Sequence, residues 1–327
     1  MSATPTLKNE KTGLPISLSS GVSGLAILAI LVLPLFGSDY HVTLAVNLCI
    51  TLILTLSLNL VVGYSGQFHL SHAAFFGVGA YSSAILSKTF GLPPILCLPI
   101  SVMLVSGLAL LVAIPATRLQ GLYLAVATLA FSLFVEVVVN QGGDLTGGGY
   151  GIQGIPPLQF AGQAIVGVSF YPIAAIAMLL VAAALRNIMR SKLGREIVAV
   201  RDHADAGAAS GINPPLTQTL VLVIAAGFAA LAGWLHCFYH LSLNSSLVSP
   251  ELTFVWFFMV LVGGIGNARG VVMGTALLTL LPEFLGVATG QTILGIGVLM
   301  IVVTLFAPSG LVGLLDNVIT KLGGRRP

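Results

Sequence analysis

VTLAVNLCITLILTLSLNLVVG, residues 42–63, decides the class of fold. The stretch has 22 residues, and none of them is charged. A transmembrane helix needs about 20 consecutive, predominantly apolar residues to cross a hydrocarbon core of about 30 Å. The strict alternation of apolar and polar residues that marks a barrel strand is missing. The stretch therefore predicts a membrane-spanning α-helix.

The composition of the whole chain agrees with this prediction. Of 327 residues, 57% are hydrophobic and only 7% are charged, whereas a soluble domain carries roughly 25% charged residues. Such a chain cannot cover a water-facing surface, which predicts an all-α polytopic membrane protein. The net charge of +3 is scattered over short loops and does not indicate nucleic-acid binding. The three cysteines lie in apolar runs, where they are expected to be small core residues rather than disulfides.

Apolar runs of suitable length predict a bundle of about ten transmembrane helices, with eight to ten as the range. One transmembrane domain, residues 21–307, is expected between an N-terminal tail, 1–20, and a C-terminal tail, 308–327. The predicted spans lie near residues 21–37, 42–63, 73–88, 92–116, 122–140, 170–186, 218–239, 251–264, 271–287 and 290–307.

The distribution of positive charge orients this bundle. With the N-terminus inside, the inner segments hold 11 Lys and Arg residues, and Arg186 adds one at the inner end of its span, which makes 12 of the 13. Only Lys88 falls outside. Because short cytoplasmic loops carry an excess of Lys and Arg, both termini are predicted to be cytoplasmic. The inner segments are 1–20, 64–72, 117–121, 187–217, 265–270 and 308–327.

Two connections between spans are long. The inner one, 187–217, holds REIVAVRDHADAGAASGIN (195–213), where much of the charge of the chain is concentrated. It predicts a short helix with Asp202 and Asp205 at its N-terminus and Gly211 at its end; a solvated connector is the alternative. The outer one, 140–170, is either a flexible glycine-rich connector or a landing surface for a partner protein.

Several passages in the chain resemble those of a known family. DAGAASG (205–211) keeps the spacing of the Glu-Ala-Ala-x-x-x-Gly segment of ABC importer permeases, with Asp for Glu and Gly for the second Ala. A set of passages that occur in a fixed order along roughly residues 40–315 is similar to the longer permease subunit of the branched-chain amino acid ABC transporter permease family. The passages of this set are GYSGQFHLSHAAFFGVGAY (63–81), TRLQGLYLAVATLAF (117–131), TGGGYGIQGIP (146–156), GREIVAVRDHADAGAASGIN (194–213), VLVGGIGNARGVVMGTALL (260–278) and LFAPSGLVGLL (305–315).

This resemblance implies a subunit of a binding-protein-dependent importer in the bacterial inner membrane. The implied partners are a second homologous permease, two ATPase subunits and a periplasmic solute-binding protein. The implied solutes are branched-chain amino acids, with urea, short amides or other amino acids as the alternative within the family. The residues expected to couple the chain to the ATPase are Arg195, Arg201, Asp205, Ala206, Gly207 and Gly211.

No source of energy is visible in the chain itself. A P-loop requires Gly-Lys followed by Ser or Thr, and none of the five lysines follows a glycine. ATP hydrolysis is therefore expected on a separate chain, and neither enzyme activity nor a cofactor is expected here.

Polar residues within the spans, or in the short segment between the second and third spans, are the candidates for a substrate pathway. Glu136 lies within a predicted span, where an ionisable group usually faces a cavity or a partner. Asn59, Gln67 and Ser71 are expected either to line a polar path or to bond helix to helix. Glu136 also leaves open a stand-alone secondary transporter, in which it would be a proton or ion site.

Three further features concern metal binding, the membrane interface and internal symmetry. His236 and His240, and likewise His69 and His72, have the spacing of metal ligands, but no thiolate or carboxylate accompanies them, so no metal site is expected. The aromatic cluster FVWFFM (254–259) is expected to be lipid-facing or packing surface, and Trp256 within it can anchor a span at the membrane interface. FFGVGAYSSAIL (75–86) and GGIGNARGVVMGTALL (263–278) each open a span and are compatible with an inverted repeat.

Overall fold

The computed structural model describes residues 39–117, 119, 121–160 and 162–285, which are mostly helical. These residues form eleven α-helices: α1 Asp39–Asn59, α2 His72–Lys88, α3 Pro94–Ala116, α4 Leu122–Gln141, α5 Gly143–Thr146, α6 Tyr171–Arg190, α7 Lys192–Asp202, α8 Ala204–Ala209, α9 Pro214–His240, α10 Pro250–Gly263 and α11 Ala268–Leu285. Four short strands connect them: β1 Ile152–Gln153, β2 Leu158–Phe160, β3 Gln163–Ile165 and β4 Ser242–Leu243.

Eight of the ten predicted spans coincide with a helix. Five helical segments are long and apolar enough to cross a membrane: Asp39–Tyr64, Pro94–Ala116, Leu122–Gln141, Gly167–Arg190 and Pro214–His240. The helices at three predicted spans are shorter or less apolar, namely α2 with 17 residues, α10 with 14, and α11 with an apolar part of 14 residues. The predicted spans 21–37 and 290–307, and both tails, lie outside the described residues.

Helix α1 forms the centre of the bundle and α3 lies at its edge. In the most apolar stretch of α1 89% of the residues are buried within the chain, against 22% in α3. Because α1 is apolar on all sides, it can pack against neighbours in every direction, and it contacts α6, α9, α10 and α11. Large aliphatic side chains of α3, among them Leu104, Leu111 and Ile114, are exposed on the surface of the chain.

Small residues bring α2 and α9 close together. A Cβ placed on Gly79 of α2 would lie only 2.6 Å from the Cα atom of Ala230, and one on Gly233 of α9 would lie 2.6 Å from the Ala80 nitrogen. Membrane helices commonly approach through glycine and alanine in this way, since lipid provides little driving force for larger side chains to associate. This packing fixes the position of α2.

The segment between α4 and α6 is folded rather than a loose connector. Strand β1 pairs with β4 in antiparallel register, with Ile152 opposite Leu243 and Gln153 opposite Ser242. Strands β2 and β3 form a separate hairpin. The Lys88 ammonium group at the end of α2 donates to the Gln153 carbonyl at 2.6 Å. The segment is therefore tied to the ends of both α2 and α9.

The charged connection between α6 and α9 contains two helices, whereas the sequence predicted one. Asp202 ends α7, so its predicted place at a helix N-terminus was wrong, while Asp205 lies in the first turn of α8. The extended backbone of His203 separates the two helices, with φ −153° and ψ 93°. Gly211, with φ +82°, follows the end of α8. Asn213 then caps α9 by accepting from the Leu216 nitrogen at 3.2 Å.

Candidate translocation pathway

A break in the helical chain lies inside the bundle between α1 and α2. Helix α1 continues into a wider π-helical turn, Leu60–Tyr64, and residues 65–71 form no regular structure. This irregular stretch is nevertheless largely buried; His69 is 2% exposed and Ser71 is fully buried. Buried backbone N–H and C=O groups must find partners, so neighbouring helices have to supply them.

Hydroxyl groups from two other helices accept hydrogen bonds from backbone N–H groups at this break. The Leu70 nitrogen donates to the Thr128 hydroxyl of α4 at 3.0 Å, and the Ala73 nitrogen donates to the Thr253 hydroxyl of α10 at 2.9 Å. The His72 imidazole lies 2.8 Å from the Ser57 hydroxyl of α1. These bonds join three other helices, α1, α4 and α10, to the start of α2.

A second break precedes α10. A short 3₁₀ turn, Ser245–Val248, leads into α10, and Val248 is fully buried. A Cβ on Gly77 of α2 would lie 3.2 Å from the Val248 Cβ, while Thr253 one turn into α10 bonds to Ala73. Residues near the start of α10 thus pair with residues near the start of α2 in antiparallel order. Two shortened helices begin side by side within the bundle, the arrangement found at transporter substrate sites.

Aromatic side chains surround the two helix starts. The Phe76 ring meets the Trp256 ring edge to face, with 5.5 Å between centroids, and the His236 ring at the same distance. Trp256 is only 6% exposed and also contacts the His72 ring. Trp256 therefore packs within the chain, which agrees with the packing alternative for the cluster 254–259 and not with an anchor exposed at the membrane interface.

Three of the predicted pathway residues lie at the first break. Asn59 accepts a hydrogen bond from the Gly266 nitrogen at 2.9 Å through Oδ1. Gln67 donates to the Ser65 hydroxyl at 2.7 Å and to the Gln218 carbonyl at 3.2 Å. The Ser71 hydroxyl lies 3.0 Å from Nδ1 of His69. All three side chains serve the local fold, and a role in the pathway stays a prediction.

Glu136 lies apart from this group. It is half-buried on α4, beside the buried stripe of that helix. The stripe consists of Leu124, Ala125, Thr128, Ser132, Val135 and Val139. Thr128 belongs to the stripe and reaches the first break, so α4 contributes to the site through a residue that the sequence did not single out.

Some buried polar atoms near the breaks have no hydrogen-bond partner among the described residues. They are Nδ2 of Asn59, Nε2 of His69 and the hydroxyl of Ser132. An unsatisfied buried polar group is costly and unusual in a native protein, and each one calls for an explanation. The described residues contain no group of three or more His, Cys, Asp and Glu side chains that could hold a metal ion.

The predicted coupling residues occupy different positions on the α7–α8 segment. Arg195 is exposed, and its guanidinium returns to its own helix, donating to the Ser191 carbonyl at 3.3 Å. Arg201 is also exposed, but its guanidinium reaches the bundle, where it donates to the Gly63 carbonyl at 3.3 Å. On α8 and the turn after it, Asp205, Ala206 and Gly211 are exposed and Gly207 is buried.

The comparison with known proteins supplies a family. A family model described as branched-chain amino acid transport system / permease component matches residues 40–308. The high-affinity branched-chain amino acid transport system permease protein LivM of Escherichia coli K12 is 30% identical over 320 residues, with 88% of this chain and 74% of that protein covered.

Two further relatives carry similar names. The LivM protein of Salmonella typhimurium is 31% identical over the same shares of the two chains. The probable branched-chain amino acid transport permease protein LivM of Methanocaldococcus jannaschii is 25% identical, covering 80% of this chain and 89% of that protein. No solved structure matches the chain at a significant level.

Proposed function

Because the chain belongs to the family of permease components of branched-chain amino acid transport systems, we propose that it is the membrane-spanning permease subunit of an ATP-driven importer. Its solute is a branched-chain amino acid or a related small polar molecule, since the relatives are named for branched-chain amino acid transport. The observation that carries the proposal is the pair of helix breaks side by side inside the bundle.

The chemistry at the breaks suits a small zwitterion with an apolar tail. Irregular backbone at this depth is tolerated where it lines a cavity or is buried in protein. The unpartnered polar atoms of Asn59, His69 and Ser132 offer hydrogen bonds that the described residues leave unused. The neighbouring rings of Phe76 and Trp256 offer an apolar surface. The pathway therefore passes between the starts of α2 and α10.

The energy for import comes from outside this chain. No Gly-Lys pair is present, so two separate ATPase subunits hydrolyse ATP and dock on the exposed face of α8 and the turn at Gly211. Their closure moves the α7–α8 segment, and the bundle alternates between an outward-open and an inward-open state. Such coupling requires only that the docked segment binds one state more tightly than the other.

The folded segment between α4 and α6 forms the opposite, periplasmic face. A groove of about 960 Å³ lies there, lined by Pro93, Pro94, Pro156, Pro157 and Trp234 among others. A solute-binding protein delivers its cargo to this face. A second, homologous permease completes the pathway in the bacterial inner membrane, and both tails lie in the cytoplasm.

Uptake in sealed vesicles tests this function. The chain is co-purified with its sister permease and ATPases, and uptake of radiolabelled leucine, with urea and a short amide as alternatives, is measured with binding protein present. We expect uptake that requires ATP. ATP-independent flux through this chain alone would instead identify a stand-alone secondary transporter, with Glu136 as the first residue to test.

The orientation has its own test. All three native cysteines are buried, so a single introduced thiol can be labelled selectively. Ser169→Cys and Ser210→Cys place the same exposed residue on the predicted outer and inner faces. We expect an impermeant maleimide to label Ser169→Cys on intact cells and Ser210→Cys only after permeabilisation. The reverse pattern would contradict the topology.

A further inference from the structure

Arg201, at the end of α7, lies next to the first helix break, between α1 and α2. Its Nη1 donates to the Gly63 carbonyl at 3.3 Å, and Gly63 lies in the last turn of the α1 extension, immediately before the break. Gly63 is also packed against Gly266, which lies between α10 and α11. One guanidinium thus reaches α7, the end of α1 and the α10–α11 turn together.

Glycines shape the seat in which this side chain lies. Gly66 has φ +70°, and a Cβ there would lie 2.8 Å from Cγ of Arg201. Gly266 has φ +78°, and a Cβ there would lie 3.7 Å from Nη1 of Arg201. Positive φ angles and close approach are the two reasons for which a backbone position needs glycine. Gly66 of GYSG (63–66) therefore makes room for the Arg201 side chain, while Gly266 of GGIG (263–266) lies at ordinary contact distance from it.

Asp202 orients the guanidinium. Its Oδ1 accepts from Nε of Arg201 at 2.9 Å and lies 2.9 Å from Nη2. These two contacts fix the plane of the guanidinium and direct Nη1 to Gly63, because the donors of arginine form a rigid fork. Arg195, on the same helix, bonds only within its own helix at Ser191 and makes no comparable bridge among the hydrogen bonds of the described residues.

The end of α1 is in turn bonded to the α10–α11 turn. Asn59 Oδ1 accepts from the Gly266 nitrogen at 2.9 Å, and the Tyr64 hydroxyl accepts from the Ala268 nitrogen at 3.3 Å. A displacement of Gly63 therefore acts on the residues that precede the first break and on the end of the helix that follows the second.

We propose that Arg201 is a positioning residue that transmits motion of the α7–α8 segment to both helix breaks, rather than a residue that docks the ATPase. The inference rests on the proposed function, since it assumes that a partner moves this segment. It divides the charged connection into a docking part, α8 with Gly211, and a transmitting part at the end of α7.

The test compares ATP hydrolysis with uptake in vesicles that contain the whole complex. We expect Arg201→Ala to keep ATP hydrolysis while uptake falls. The ATP consumed per solute should therefore rise by about fivefold or more, which is the size of a typical coupling between two sites. Arg201→Lys retains the charge but loses the fork, and is expected to fall between wild type and Arg201→Ala. Arg186→Ala, which removes an exposed arginine at the end of α6, is the matched control and should leave the ratio unchanged.

A disulfide provides an independent rescue. The Cβ of a residue at position 66 would lie 3.8 Å from the Arg201 Cβ, which is the mean Cβ separation in a disulfide, about 3.8 Å. Because Gly66 has φ +70°, any side chain at this position strains the backbone, and Gly66→Cys alone is therefore the control. Relative to that control, the variant with Gly66→Cys and Arg201→Cys should be uncoupled when reduced and should regain coupling when oxidised, with bond formation checked by mass.

The outcomes separate the two proposals. A wild-type complex without ATP-dependent uptake overturns the proposed function, and the inference with it. If the wild type is active, the inference alone is overturned by an unchanged ratio in Arg201→Ala, by uptake and hydrolysis falling together with complex assembly, or by a formed disulfide that leaves the ratio unaltered.

Discussion

Gly79→Ala should weaken the bundle through one added methyl group. The new Cβ would lie 2.6 Å from Cα of Ala230 and 2.9 Å from its carbonyl oxygen. Ordinary contacts between carbon atoms are about 3.5–4.0 Å, so α2 and α9 must separate by about 1 Å. Because the nearest atoms are backbone, no change of side-chain rotamer can relieve the contact.

Gly107→Ala is the matched control that isolates the size of this effect. Gly107 lies in α3, and nothing lies within 4 Å of a Cβ placed there. Both substitutions gain the same helix propensity, about 1 kcal/mol for alanine over glycine. The difference in unfolding free energy between the two variants therefore measures overpacking alone, about 1–3 kcal/mol.

Reversible unfolding of the purified chain in mixed micelles gives both free energies. We expect the unfolding free energy of Gly79→Ala to be lower than that of Gly107→Ala by about 1–3 kcal/mol, the cost of overpacking. Adding Ala230→Gly to Gly79→Ala should restore little, since the closest contacts are with the Cα and carbonyl oxygen that glycine retains. Equal stability of the two single variants would refute the close approach of α2 and α9.

Two further substitutions test the start of α2 and the segment between α4 and α6. Thr253→Val keeps the shape of the side chain but leaves the Ala73 nitrogen without its acceptor; the expected loss of stability is about 1–3 kcal/mol, against little change for exposed Thr89→Val. An equal effect of the two changes would contradict the bond. Lys88→Met removes the donor to the Gln153 carbonyl, so hydrogen–deuterium exchange should accelerate in β1 and β4 but not in the core of α1. Unchanged exchange in β1 would show that this contact does not hold the segment.

The positions of the helices could be predicted from local sequence. Residues 42–63 predicted α1, and the predicted span 122–140 agrees closely with α4, because an apolar run of sufficient length needs no partner to be recognised. The assignment of inner and outer faces depends on the distribution of Lys and Arg. That orientation stays a prediction, as does an inverted repeat.

What the sequence could not supply depends on partners that are distant along the chain. Thr128 and Thr253 read as ordinary hydroxyls in apolar runs, and only the fold shows that they bond to backbone nitrogens 58 and 180 positions away. For the same reason the sequence could not decide between packing and an interface anchor for Trp256. The pairing of β1 with β4 likewise joins residues about 90 positions apart, and two-residue strands leave no periodic pattern.

The hydroxyls of Thr128 and Thr253 bind backbone N–H groups at the break between α1 and α2, and this limits which substitutions the centre of the molecule tolerates. Threonine and valine have nearly the same shape, but at positions 128 and 253 a change from threonine to valine removes the acceptor of a main-chain N–H group. The polar groups at these two positions are required by the backbone N–H groups that they bind, whatever solute is transported. Relatives that carry chemically different molecules should therefore share these two hydroxyls and differ around them.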